Sequence, residues 1–331
     1  MNKLKFAIIG CEHAHIGIFI EEMLALGHTC IGVCESNPNR VVSAVVSKFN
    51  LPVVEDEQWL LANADIVGSS AINNEKITII ERCEQHGIPI MVDKPAVTNK
   101  RDLERLQAVV GRGKIEIGML LTERFHPAIY TLKSQIDQGV LGDIVSIGIR
   151  KPHRLSASQR PAWFFSREQS GGIVIDLLVH DFDLLRWLTG KEILQAEGYM
   201  GKRILPEHPD FYDTASVQVL LDGHITAQLY ADWFTPERSW TWGDGRLFVT
   251  GTEGFAELRL AGDPLISKDG LMLRTTSSEQ LHSIELKQPP TSITGDFLQR
   301  LQNRHSLLGV HDILQASQAS VAVDETVRLI R

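Results

Sequence analysis

The chain has 331 residues, of which 43% are hydrophobic and 22% charged, with a formal net charge of -8. That length exceeds one small core and implies two domains of roughly 100–200 residues each. No apolar run approaches the ~18 residues of a membrane span and no Lys/Arg cluster makes a basic patch, so a cytoplasmic protein acting on a small molecule is expected, with neither a membrane nor a nucleic-acid partner.

Strand and helix patterns alternate over roughly the first 120 residues. Lys5–Ile9 reads as a strand ending at Gly10. Residues 16–26 carry apolar positions at Ile16, Phe19, Ile20, Met23 and Leu24, a helical period closed by Gly27. Thr29–Cys34 is a second buried strand, Asn39–Phe49 a helix, and Trp59–Leu61 part of a short helix before the strand Asp65–Ser69. Lys76–His86 is the next helix, closed by Gly87. Ile88–Val92, Lys100–Val110 and Lys114–Met119 follow as strand, helix and strand. Strands that are apolar throughout and separated by helices imply a parallel sheet covered on both faces. Residues 1–121 are therefore expected to form an α/β dinucleotide-binding Rossmann domain with a doubly wound parallel sheet.

From residue 122 the pattern changes. Phe125–Gln138 reads as one helix. Strand patterns follow at 143–150, 192–200, 213–221, 224–233, 246–251 and 254–260, with turn signals at Asp222-Gly223 and Asp269-Gly270. Helices near 294–303 and 310–330 close the chain. Residues 122–331 are expected to form an α+β domain with a large, mostly antiparallel open sheet, one face covered and one exposed.

The turn after the first strand is Gly10-Cys-Glu-His-Ala-His15. A dinucleotide fold carries G-x-G-x-x-G/A there, so that backbone N–H groups approach a pyrophosphate at a helix N-terminus. Only Gly10 is kept. Glu12 and His15 stand at the other two glycine positions, and His13 or His15 could offset the Glu12 charge by donating hydrogen bonds. A plain strand-turn-helix connection is the alternative reading. Glu35, ending the second strand, suits hydrogen bonds from the hydroxyls of an adenosine ribose and repels a 2′-phosphate, which favours NAD over NADP. It reads equally as a charge at the next helix N-terminus. Asp93-Lys94-Pro95 follows the fourth strand, and ligands of doubly wound sheets sit at the carboxyl ends of strands, so Lys94 is expected near the nicotinamide. Cys11, Cys30, Cys34 and Cys83 form no CxxC pair and read as buried reduced thiols; no metal site is expected.

In Ser170-Gly171-Gly172-Ile-Val-Ile-Asp176-Leu-Leu-Val-His180-Asp-Phe-Asp183, the residues Asp176, His180, Asp183 and then Trp187 fall at i, i+4, i+7 and i+11, one face of a helix. An i,i+4 ion pair on a solvated face, contributing ~0.2–0.5 kcal/mol, is the bland alternative.

Together these residues resemble the Gfo/Idh/MocA family, which contains glucose-fructose oxidoreductase and inositol dehydrogenases. The motifs run in order along nearly the whole chain: Gly10, Glu35, Asp93-Lys94-Pro95 for the usual Glu-Lys-Pro, Arg124-Phe-His-Pro127, Gly139-Val-Leu-Gly142, the Gly-Gly-x3-Asp176-x3-His180-x2-Asp183 stretch, Asp213-Thr-Ala215 and Gly251-Thr-Glu-Gly254. Two places depart from the pattern. The glycine fingerprint is broken at Glu12 and His15, and Ile72-Asn73-Asn74-Glu75-Lys76 stands where the family has Pro-Asn-x-x-His.

The resemblance implies NAD(P)-dependent transfer of hydride between a nicotinamide and a secondary alcohol of a sugar, inositol or related polyol. It implies Lys94, Asp176 and His180 as catalytic residues. His180 is the general base, Lys94 stabilises the developing alkoxide, and Asp176 orients His180 and the substrate hydroxyls. The implied cofactor set is Gly10, Glu12, His13, His15, Glu35, Ser70, Asn73, Asp93, Lys94 and Arg124. Trp163, Tyr212 and Trp233 are possible substrate-pocket walls beside Asp176 and His180. A homodimer or tetramer through the C-terminal sheet is also implied. Two alternatives are an NAD-assisted lyase that cleaves glycosides and a non-catalytic sugar or nucleotide sensor.

Overall fold

Five apolar segments form a parallel sheet in the computed structural model, which describes residues 3–330. They are β1 (Lys5–Cys11), β2 (Thr29–Cys34), β3 (Ile66–Ser70), β4 (Ile90–Val92) and β5 (Ile117–Met119), paired in the order β2-β1-β3-β4-β5. Helices α1 (Ile16–Ala25), α2 (Arg40–Phe49), α3 (Glu57–Asn63), α4 (Lys76–His86) and α5 (Lys100–Arg112) connect them. Local chemistry sets their ends. The Asn39 and Asn99 side chains accept the N–H groups of Val42 and Asp102, and Gly87 closes α4 at φ +68°. β3, β4 and β5 are buried at every residue, as both-face coverage requires. A lone parallel bridge between Val33 and Val53 adds the remnant of another edge strand. The order then reads 3-2-1-4-5-6, the Rossmann arrangement, with its switch point between β1 and β3.

The later strands are β6 (Ile144–Pro152), β7 (Ile193–Gly201), β8 (Thr214–Leu221), β9 (Ile225–Asp232), β10 (Arg246–Gly251), β11 (Gly254–Arg259), β12 (Leu271–Thr276), β13 (His282–Ser283) and β14 (Arg328–Ile330). They form one sheet in the order β13-β12-β11-β10-β6-β9-β8-β7-β14. Its pairs are antiparallel except β6 with β9 and β14 with β7. Alternate residues of β8 and β9 are buried and exposed, so one face is covered and one is open. The helices are α6 (Pro127–Asp137), α7 (Arg167–Ser170), α8 (Gly172–Leu177), α9 (Val179–Thr189), α10 (Ile293–Arg300) and α11 (Val310–Thr326). Of these, α6, α8 and α9 pack on the nine-stranded sheet. No helix among the described residues is long and apolar enough to cross a membrane.

The chain divides into two units, and not by a single cut. The first runs to Leu121 and also holds Arg167–Gly171 and Thr291–Gln318; the second holds Thr122–Ser166, Gly172–Pro290 and the chain from Ala319 on. The reason lies in α10. The Thr294 N–H donates to Glu22 of α1 at 2.9 Å, and Arg300 donates to the Ile117 carbonyl at 2.6 Å. Two expectations on elements are corrected as well. The closing helix stops at Thr326, because Arg328–Ile330 leaves it to pair with Tyr199–Gly201. Strands β12 and β13 went unread because their residues carry little apolar alternation.

Candidate active site

The first unit builds a nucleotide-sized turn at the ends of β1, β2 and β3. Gly10 has φ +78°, and a Cβ there would lie 2.5 Å from the Cβ of Ala71, so glycine is required on both counts. The Glu35 carboxylate accepts the Cys11 N–H at 2.6 Å and the Asn37 N–H at 2.9 Å, which fixes it at the end of β2. Glu35 lines a cleft of about 240 Å³ with Gly10, Glu12, Ser36, Ala71 and Thr78. The cleft is acidic on balance: Glu57 and Glu75 also border it against the cation of Arg82, and burial together with the Glu35 charge raises the Glu75 carboxyl above its ordinary value. Ser70 and Asn73 are buried beside it.

The end of β4 is held from beneath. Lys76 has no exposed surface, and its ammonium donates to the carbonyls of Asp93 (3.0 Å), Lys94 (3.2 Å) and Pro95 (3.3 Å) and to the Asn73 side-chain oxygen (2.8 Å). Asn73 in turn donates to the Ser170 carbonyl at 2.8 Å. The Lys94–Pro95 peptide is cis. Asp93 meets the histidines of the first turn, with His13 Nδ1 2.6 Å from Oδ2 and His15 Nδ1 3.4 Å from Oδ1. Burial pushes the His13 ring down to about 4, against the pull of Asp93. Burial opposes ionisation of Asp93, yet His13, His15 and Lys76 hold its carboxyl well below the usual range. The thiols are unpaired, and burial raises Cys11 to about 12 and Cys30 to about 11; Cys34 is half-buried rather than buried.

In the second unit, the single helix expected to present Asp176, His180, Asp183 and Trp187 on one face is broken at Leu178, between α8 and α9. Gly171 and Gly172, at φ +86° and +74°, turn the chain ahead of α8. Asp176 and His180 are half-buried. Asp183 is instead buried and forked on Arg124, with Nε to Oδ2 2.7 Å and Nη2 to Oδ1 2.5 Å. Arg124 is only 1% exposed, and its guanidinium also sits 5.4 Å from the Trp187 ring. Arg124 is thus spent on an internal ion pair, not displayed to a ligand. A second cluster joins buried Lys151 of β6 to buried Asp181 and half-buried Glu123. Burial opposes ionisation of Glu123, yet the charges of Lys151, His180 and His153 hold its carboxyl below the ordinary value. Glu123 and Lys151 line a cleft of about 280 Å³ with His126, His153 and Trp242. Trp163, Tyr212 and Trp233 are buried. Trp163 and Trp233 both edge against Phe164, and the Arg160 guanidinium lies 4.3 Å over Phe164 while feeling the Asp176 charge.

Residues 129–257 match the GFO/IDH/MocA C-terminal domain. That stretch is similar to a domain of the Gfo/Idh/MocA family. Among relatives, it is 25% identical over 234 residues to a myo-inositol dehydrogenase, Hyg17, of Streptomyces leeuwenhoekii, covering 70% of each chain. It spans 54% and 58% of two further curated relatives. A crystal structure from Erwinia carotovora atroseptica shares the fold with a TM-score of 0.90 at 23% identity, over 99% of this chain and 100% of that one. The structure of a levoglucosan dehydrogenase complexed with NADH does so with a TM-score of 0.80 at 16% identity, over 98% and 97%.

Against the Gfo/Idh/MocA pattern, four residues were missed by reading the sequence. Lys76 stands where the family carries its histidine, and that departure was the available signal. Lys151 shares the buried face of β6 with Ile147 and Ile149, at alternate positions, which marks a charge placed inward on purpose. Glu123 and Arg160 lie in short 3₁₀ and loop segments with no periodic cue.

Proposed function

We propose that this protein oxidises a secondary alcohol of a cyclic polyol or sugar with a nicotinamide dinucleotide, NAD rather than NADP. The observation that carries the reading is Lys76. Removing an ammonium from water costs several kcal/mol unless it is well bonded. Packing of α4 does not require that cost, whereas a fixed Asp93-Lys94-Pro95 turn does. Gly10 and Glu35 would hold the adenosine and phosphate half of the cofactor, with Ser70, Asn73, Glu12, His13, His15 and Asp93 around it. The acidic cleft beside Glu35 disfavours a 2′-phosphate. Similarity to myo-inositol dehydrogenase supports the substrate class.

The net reaction converts the secondary alcohol and NAD+ to the corresponding ketone, NADH and a proton. A bound nicotinamide would supply the hydride acceptor for the carbinol carbon. His180 takes the hydroxyl proton, as its ordinary pKa of about 6.5 suits near neutrality. Lys94 donates a hydrogen bond to the developing alkoxide. Asp176 orients His180 and the neighbouring hydroxyls, and Trp163, Tyr212 and Trp233 bound the substrate. Arg124 drops out of the cofactor set because Asp183 occupies its fork. In the same reading, copies pair through the open face of the nine-stranded sheet as a homodimer or tetramer in the cytoplasm.

The test is a fluorescence titration of the full chain with NAD and with NADP, followed by a polyol and sugar panel read by NADH absorbance. Tighter binding of NAD and turnover of at least one polyol are expected. Failure to bind either dinucleotide at about 1 mM, the upper end of ordinary KM values, rejects the reading.

A further inference from the structure

Two imidazoles and one carboxylate converge at the mouth of the first unit. His13 lies in the turn after β1, His15 stands just before α1, and Asp93 directly follows β4. Their donor atoms all lie within 4.8 Å of one another. Each histidine addresses a different oxygen of the same carboxylate. The two rings stand edge to face with centroids 4.3 Å apart.

Hydrogen bonding explains only half of this arrangement. His13 bonds Oδ2 at 2.6 Å. His15 Nδ1 sits 3.4 Å from Oδ1, beyond the 2.7–3.2 Å of an N–H···O bond. Asp93 is 1% exposed, and its Oδ1 has no hydrogen-bond partner. Leaving a buried carboxylate oxygen unsatisfied is costly. His15 makes no cap bond for α1 either. Two donors about 2.0–2.1 Å from a tetrahedral ion stand about 3.3 Å apart, close to the separation His15 and Asp93 already have. The His13–Asp93 pair reaches the same spacing by opening about 0.7 Å.

We propose that His13, His15 and Asp93 form a three-ligand site for a divalent transition-metal ion of the zinc class. Imidazole and carboxylate suit that class, and three protein ligands leave a fourth position open to water or another oxygen ligand. His15, half exposed, gives the ion a path from solvent. The ion's charge also offsets Glu12 and Asp93, the carboxylates that otherwise confront an anionic ligand at this turn.

The test uses the full chain, freed of metal by chelation, titrated with Co2+ by visible absorption and with Zn2+ by calorimetry, in the absence of any dinucleotide or polyol. Metal binding is thereby read separately from dehydrogenase activity. One ion per chain is expected, with a Kd below about 10 µM. His15→Ala and Asp93→Asn are each expected to weaken it at least about 100-fold. His15 is exposed enough for its alanine variant to keep the fold, so that variant decides if Asp93→Asn unfolds. No binding by the wild-type chain, or binding undiminished in His15→Ala, overturns the site.

Discussion

The ammonium of Lys76 and the backbone carbonyl of Asp93 lie 3.0 Å apart, tying the first turn of α4 to the end of β4. The same ammonium reaches the next two carbonyls, so one buried charge sets the course of the chain around Lys94. Lys76→Met keeps the length of the side chain and removes the donors. We expect a stability loss of about 1–3 kcal/mol from the unsatisfied carbonyls, read by urea unfolding. We also expect kcat on the best polyol to fall more than KM rises, since Lys94 loses its placement. An unchanged kcat in a folded variant removes Lys76 from any positioning role.

Arg124 and Asp183 make a buried bidentate pair, and breaking one side strands the other charge. Arg124→Met or Asp183→Asn should cost about 3–5 kcal/mol, while the double substitution to apolar residues should recover much of that loss. NAD affinity of the folded Asp183→Asn protein should stay near that of the wild type. A dinucleotide affinity that collapses at Arg124→Met without loss of stability would return Arg124 to the cofactor set.

Lys151 can neutralise only one of its two carboxylate partners, buried Asp181 and half-buried Glu123. Burial pushes the Asp181 carboxyl up to about 7, with the Glu123 charge adding to the shift and Lys151 opposing it. A folded-state value above the ordinary 3.8 means that the native protein holds this proton more tightly than the unfolded chain. Its contribution to stability is complete below about 4 and disappears as the pH rises through about 7. The urea midpoint should therefore drift down between about pH 4 and pH 7, and Asp181→Asn, a neutral isostere, should flatten that drift. An identical pH profile in the variant counts against protonated Asp181.

His180 sits half-buried within reach of the Glu123 charge. His180→Ala should lower kcat by about 10²–10⁴-fold with the unfolding midpoint preserved, the range for a well-placed acid–base group. Kinetics showing a loss of less than about 10-fold take the base role away from it.

Strand positions and the parallel class of the sheet in the first unit were legible because a parallel sheet buried on both faces leaves continuous apolar runs, and helices there carry their caps in the sequence. The same apolar runs placed Gly10, Glu35 and Lys94 at or just past strand ends, where doubly wound sheets bind ligands.

What the amino-acid order by itself determined is periodicity and local turn chemistry: two domain types, most elements to within a few residues, and a short set of chemically apt side chains. Only the tertiary structure decided which of those side chains are already spoken for. Helical spacing placed Asp183 beside His180, but burial against Arg124 turned it into a structural ion pair. Spacing made His13 and His15 substitutes for glycine, but the end of β4, some 80 residues away, brought Asp93 between them. Partners this distant in sequence leave no periodic trace, because the energy that selects them arises when burial removes water from both at once.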